Sequence, residues 1–192
     1  MNTGTLVLFV GPPGSGKGTL KAFVRTQFPE AVFPMSWTTR PQRPSEADGD
    51  TYHFVDEDTF RHAAEAGEFL EWVSLDGSHL YGTPKSQYIP PLEAGKLVIR
   101  EVEPQGVHSL QKLLSEYAIK TIFIDPGTWD DFARRIIARA PISAEELENR
   151  RLRYEREMPF KQEADFVIEN PDGGLEAARR SIMEVLKSLV QR

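Results

Sequence analysis

Nine residues, GPPGSGKGT, carry the densest chemistry in the chain. Gly11, four residues, Gly16 and Lys17 follow an apolar run directly and open a helical one, the context a phosphate-binding loop requires. Glycines let successive backbone N–H groups turn toward phosphate oxygens, the helix N-terminus adds partial positive charge, and the lysine neutralises β- and γ-phosphates. Gly11, Pro12, Pro13, Gly14, Ser15, Gly16, Lys17, Gly18 and Thr19 therefore form a candidate nucleoside triphosphate site. Where such loops usually follow the lysine with Ser or Thr, this chain has Gly18. The hydroxyl that would reach a magnesium ion, directly or through water, comes one place later, at Thr19.

A phosphate loop leaves switches, motors and kinases open, so the acceptor must be read elsewhere. Arg40 and Arg43 lie three apart with Tyr52 downstream, a guanidinium pair and a phenol able to clamp a phosphate. Taken alone, the two arginines read rather as a solvated basic loop. Glu71 is more telling, a carboxylate in the apolar stretch FLEWV, where an unpaired charge would be costly to bury. Guanine offers two adjacent donors, N1–H and the 2-amino group, to two carboxylate oxygens; adenine presents a lone pair at N1 instead. Glu71 is thus a candidate guanine reader, with Tyr81 and Thr83 close behind it. Farther on, every basic residue between Asp131 and Phe160 is an arginine, at 134, 135, 139, 150, 151, 153 and 156. About half of these are expected to pair with neighbouring glutamates on a solvated face.

The elements that must position these groups alternate. TLVLFV reads as a buried parallel strand and KGTLKAFVRTQF as the helix after the loop. From Ala31 to about Thr83, short β-like pieces (AVFPMSW, TYHFV, FLEWVSL) and a helix capped by Asp56 suggest a lobe inserted into the main sheet. Prolines 41, 44, 84, 90 and 91 punctuate its loops and exit. Beyond Lys96 the spacing predicts strand LVIREV, a helix around GVHSLQKLLSEY, strand IKTIFI, a helix around WDDFARRIIAR and a long charged helix from Ala144 to Lys161. Strand DFVIEN and an amphipathic helix from Leu175 follow, with Ala178, Ile182, Val185, Leu186 and Leu189 on one face. Strands separated by helices imply an α/β fold with a mostly parallel sheet covered on both sides.

Composition narrows the function classes. The 192 residues, with 23 Lys plus Arg against 29 Asp plus Glu, carry a formal charge of −6, so a general attraction to nucleic acid is not expected. There is no cysteine, which removes disulfide frameworks, thiol nucleophiles and zinc–thiolate sites. The apolar run Thr5 to Val10 lacks a basic leader and is far too short to span a bilayer; a cytoplasmic protein without membrane contact is the expectation. His53, His62, His79 and His108 show no metal-ligand spacing, and the scattered Trp37, Trp72 and Trp129 read as packing residues.

The stretches GPPGSGKGT, SWTTRPQRPSEADGDTY, FLEW, GSHLYGTP, EVEPQGV, RRIIAR and ADFVIEN together resemble the guanylate kinase family over nearly the whole length. The resemblance implies a P-loop nucleoside monophosphate kinase fold, with a core (about 1–34, 85–125 and 157–192), a mixed α/β GMP-binding lobe (about 35–84) and a helical lid (about 126–156). It implies transfer of the ATP γ-phosphate to GMP with Mg²⁺, with ATP and GMP as the only partners expected; the oligomeric state is not readable from the sequence, a monomer being slightly favoured. By position, Ser36, Arg40, Arg43, Tyr52 and Tyr81 match the family's GMP-binding pattern, with Glu71 and Thr83 reading guanine. Glu101 and Glu103 stand where the family usually has aspartates, Glu101 among its GMP contacts; Asn170 matches an ATP-site position. Lys17, Arg40, Arg135, Arg139 and Arg150 match catalytic positions, with Arg151 the competing register for Arg150. Two rivals stand beside this reading. One is a kinase for another monophosphate, since adenylate kinases also carry GKGT; the other is a catalytically silent protein-binding domain of the guanylate-kinase type.

Overall fold

The computed structural model describes residues 3–43, 46–49, 51–75, 77–139 and 141–190, leaving aside the side chains of Leu75 and Arg139. Four strands form a wholly parallel sheet: β1 (Thr5–Val10), β6 (Leu97–Glu101), β7 (Ala118–Asp125) and β8 (Phe166–Glu169), in the order β6-β1-β7-β8. Val32 adds a parallel bridge to Val98 at the β6 edge. The expected parallel sheet is present. Leu6 to Val10 are fully buried, as a central strand covered on both faces requires. Val7 and Phe9 face helices α1 (Lys17–Gln27) and α7 (Leu175–Val190); Leu6, Leu8 and Val10 face α3 (Ile89–Glu93) and α4 (Pro104–Leu113). On α7, Ala178, Ile182 and Leu186 are fully buried and Val185 and Leu189 pack beside them, the face the sequence spacing predicts.

A second, mixed sheet has the order β3-β2-β5-β4, from β2 (Ser36–Thr38), β3 (Tyr52–Phe54), β4 (Phe69–Leu75) and β5 (His79–Pro84). It packs on α2 (Glu57–Glu65) through Phe60, Ala63, Phe69 and Leu80. The Asp56 carboxylate accepts from the Thr59 amide at 2.7 Å, the expected N-cap. Helices α5 (Trp129–Arg139) and α6 (Ala144–Glu157) occupy the proposed lid segment.

Three local expectations are corrected. The charged helix stops at Glu157, short of Lys161, and becomes a 3-10 turn over Met158–Gln162, because Pro159 lacks an N–H and its ring crowds the preceding turn. Pro90 and Pro91 do not merely punctuate a loop but sit in the first turn of α3, where amide donors have no intrahelical partner and proline is tolerated. AVFPMSW yields a strand only over Ser36–Thr38. Pro44 lies outside the described residues.

Candidate active site

The loop after β1 holds its glycines at positive φ, with Gly11 at 140°, Gly14 at 103° and Gly16 at 101°, a backbone that L side chains resist. The Lys17 ammonium turns back onto the loop, donating to the Gly11 carbonyl and, at 3.2 Å, to that of Pro12. Burial depresses its pKa, while Glu101, Glu157 and Glu103 push it up. The Ser15 hydroxyl is buried with no hydrogen-bond partner among the described residues. Asn170, also buried, donates from Nδ2 to the Ser15 carbonyl at 2.7 Å, holding the loop from behind. Thr19 is exposed on α1.

Glu101 stands at the end of β6 and pairs with Lys21 of α1 at 3.0 Å. A β-carbon built on Gly18 would sit 3.8 Å from Glu101 Oε1. A carboxylate therefore faces the space that a hydroxyl-bearing residue would fill after Lys17. Glu101 lies beside the phosphate loop and, with Ser36, Tyr52, Lys21, Arg25 and Arg100, also lines a cavity of about 150 Å³.

In the second sheet, Tyr52 and Tyr81 approach edge to face at 6.0 Å between ring centres. The Arg40 guanidinium lies over Tyr52 at 5.4 Å, and burial raises the Tyr52 phenol. Arg40 also donates to Glu46 at 2.9 Å, and Glu46 accepts from the Arg43 amide at 2.9 Å. Arg43 itself projects into solvent. Glu46, which sequence reasoning missed, thus neutralises the arginine that is expected to take a phosphate. Glu71 pairs in register with Thr83 across β4 and β5 after a bulge between Phe69 and Glu71, and its carboxylate accepts from the Ser109 hydroxyl of α4.

One residue ties these groups together and was also missed. From β6, Arg100 donates to Thr83 Oγ1 at 3.1 Å, to Ser36 Oγ at 2.7 Å and to the Tyr88 hydroxyl. An arginine in the apolar run LVIRE is the same signal that singled out Glu71 in FLEWV.

Among the expected lid residues, Arg135 reaches the phosphate loop, donating to the Gly14 carbonyl at 2.6 Å and to that of Asn170 at 2.9 Å. Phe132 is buried beside it, within 3.4 Å of a β-carbon built on Gly14. Tyr154 of α6 stacks on Phe132 at 5.7 Å and donates to the Gly127 carbonyl at 2.8 Å. Arg150 pairs with Glu146 at 3.1 Å, and Arg151 with Glu148 at 2.8 Å and Glu155 at 3.2 Å, so both stay on their own helix. The side chain of Arg139 lies outside the description. Glu157, at the end of α6, is only 2% exposed, and neither of its oxygens has a hydrogen-bond partner among the described residues. Among the described residues no three acidic or histidine side chains converge to hold a metal, and no helix is long and apolar enough to cross a membrane.

The loop after β1 and the second sheet are thus linked through β6, where Glu101 lies beside the loop and Arg100 binds Thr83 and Ser36. The chain is 36% identical to a guanylate kinase of Tropheryma whipplei over 167 residues, covering 87% of this chain and 86% of that one. It is 34% identical to a guanylate kinase of Helicobacter pylori, covering 100% and 90%, and 38% identical to one of Frankia casuarinae, covering 91% and 93%. Its fold is similar to the crystal structure of guanylate kinase from Anaplasma phagocytophilum, with a TM-score of 0.66 over 98% of this chain and 85% of that one at 22% identity. The guanylate kinase family model matches residues 3–189, and this chain belongs to the guanylate kinase family.

Proposed function

We propose that this chain transfers the γ-phosphoryl group of ATP to GMP, giving ADP and GDP, and that the residues assembled above divide the work. The observation that carries the reading is the in-register Glu71 and Thr83 pair, a carboxylate and a hydroxyl matched to guanine, in a chain whose phosphate loop is complete through Lys17. Gly11 to Lys17 bind the donor triphosphate, with the Lys17 ammonium leaving its carbonyl partners for phosphate oxygens. Arg40, Arg43, Tyr52, Tyr81 and Ser36 hold the acceptor phosphate. Arg135, Arg139 and Arg150 or Arg151 add positive charge from the lid.

An oxygen of the GMP phosphate attacks the γ-phosphorus, the bond from that phosphorus to the β,γ-bridging oxygen breaks, and ADP leaves with the electron pair. A phosphate monoester has its second pKa at about 6, so the acceptor is mostly a dianion at neutral pH and no base need take a proton. Charge stabilisation and alignment dominate such loose transition states, and a closing lid would exclude water.

The oxygen donors beside the loop fit a magnesium ion carried by ATP. Glu101 facing Gly18, and Thr19 on α1, would hold it directly or through water, where it would neutralise charge on the β- and γ-phosphates. We place the core at 1–34, 85–125 and 157–192, the GMP lobe at 35–84 and the lid at 126–156. The acidic, cysteine-free composition supports a cytoplasmic enzyme, and we take it as a monomer.

The test is ADP release with ATP and Mg²⁺, offering GMP, AMP, CMP and UMP separately, for the wild type and Lys17→Ala. GMP-selective turnover that falls by about a thousandfold in the variant is expected. Turnover with another acceptor would overturn the guanine assignment. No turnover from a folded protein would favour a silent binding domain.

A further inference from the structure

Arg100 leaves the edge strand of the core and enters the acceptor lobe half-buried. Among the described residues its hydrogen-bond partners are three hydroxyls, those of Ser36, Thr83 and Tyr88, and it forms no ion pair. A cation withdrawn from water normally finds a carboxylate, and the nearby Glu71 is engaged by Ser109 instead. The positive field of Arg100 is therefore directed into the acceptor site.

A hydroxyl is at once donor and acceptor and turns to suit its neighbours. A guanidinium N–H donating to its oxygen, with positive charge about 3 Å away, orients the O–H bond away from the cation. We propose that Arg100 is a specificity-determining positioning residue that fixes the Thr83 and Ser36 hydroxyls as outward donors. Thr83 then offers a proton to a nucleobase acceptor, which guanine supplies at O6, and Ser36 offers one to a phosphate oxygen. Adenine carries an amino group at the corresponding edge, so two donors would converge on Thr83 Oγ1 beside a cation. The Glu71 carboxylate reads the donor edge of the base; Arg100 enforces the complementary demand for an acceptor. This inference rests on the GMP assignment above.

The experiment compares kcat/KM for GMP and AMP in the wild type, Arg100→Met and Arg100→Gln, with Thr83→Val alone and combined with Arg100→Met. A GMP-to-AMP ratio about tenfold or more lower in both Arg100 variants is expected, as loss of a charge-assisted hydrogen bond implies. The Thr83→Val background should absorb most of that change. Arg100→Gln keeps a hydrogen-bonding tie without the charge, so it remains decisive if Arg100→Met does not fold. Equal losses for both nucleotides, or a wild-type ratio in Arg100→Gln, would show a merely structural tie and overturn the proposal. A wild type that does not prefer GMP would instead fail the GMP assignment itself, separating the two.

Discussion

Glu71 and Thr83 face each other in register across the antiparallel β4–β5 ladder, so their side chains share one face of the sheet. On the proposed reading the Glu71 carboxylate accepts two donors from the base, so Glu71→Gln should lower kcat/KM for GMP roughly 10- to 100-fold, the loss for hydrogen bonds to a charged group. The AMP rate should hold or rise. Measured discrimination equal to that of the wild type would sink the assignment.

Gly16 tests how tightly the phosphate loop is built. A β-carbon there would sit 2.3 Å from Asn170 Nδ2 at a φ of +101°, and a strained residue of this kind costs about 1–3 kcal/mol. Gly16→Ala should lower Tm by several degrees, at roughly 2–4 °C per kcal/mol for a chain of this size. Gly18→Ala, at an ordinary φ and with only a 3.8 Å contact, should not. Equal Tm values for the two variants would count against the loop geometry.

Gly18→Ser would place a hydroxyl beside Glu101. On the proposed placement of the triphosphate, an added hard oxygen there should lower the Mg²⁺ concentration needed for half-maximal activity several-fold, with the fold intact. A titration of Mg²⁺ at fixed ATP reads this directly, and an unchanged or higher requirement would show that Gly18 does not lie on the magnesium side of the loop.

Glu157 sets a pH dependence. Burial raises its carboxyl, with Lys17 opposing, Glu103 adding, and Arg156 and Arg153 opposing. A carboxyl raised in the folded state binds its proton more tightly there, so this contribution to stability is fully present below the unfolded value and is lost as pH rises through the folded one. Glu157→Gln should therefore raise Tm at pH 7 to 8, by an effect on the order of 1 kcal/mol, the usual cost of a buried polar group without a hydrogen-bond partner, since among the described residues only the Arg156 guanidinium pairs with it, at 4.0 Å. The gain should vanish near pH 4. Melting curves showing a pH-independent difference would contradict it.

The amino-acid order alone makes legible the succession of strand, loop and helix, the glycine-rich loop and the buried face of α7, because these follow from local periodicity, glycine placement and spacing. It also marked Glu71, since a charge in an apolar run is conspicuous wherever the chain folds. Which groups become partners is set only by folding. Leu70 or Glu71 could equally stand opposite Thr83 until the bulge between Phe69 and Glu71 shifts the ladder. Glu46 meets Arg40, Ser109 meets Glu71, and Arg100 meets Ser36 and Thr83. Ser36 and Arg100 are 64 positions apart, and no periodicity links residues so distant. Glu157 looks in sequence like any glutamate of a charged helix; only packing of the end of α6 withdraws it from water. Local patterns fix which elements form, whereas contacts between elements fix which charges lose their solvent and which hydroxyls acquire a direction.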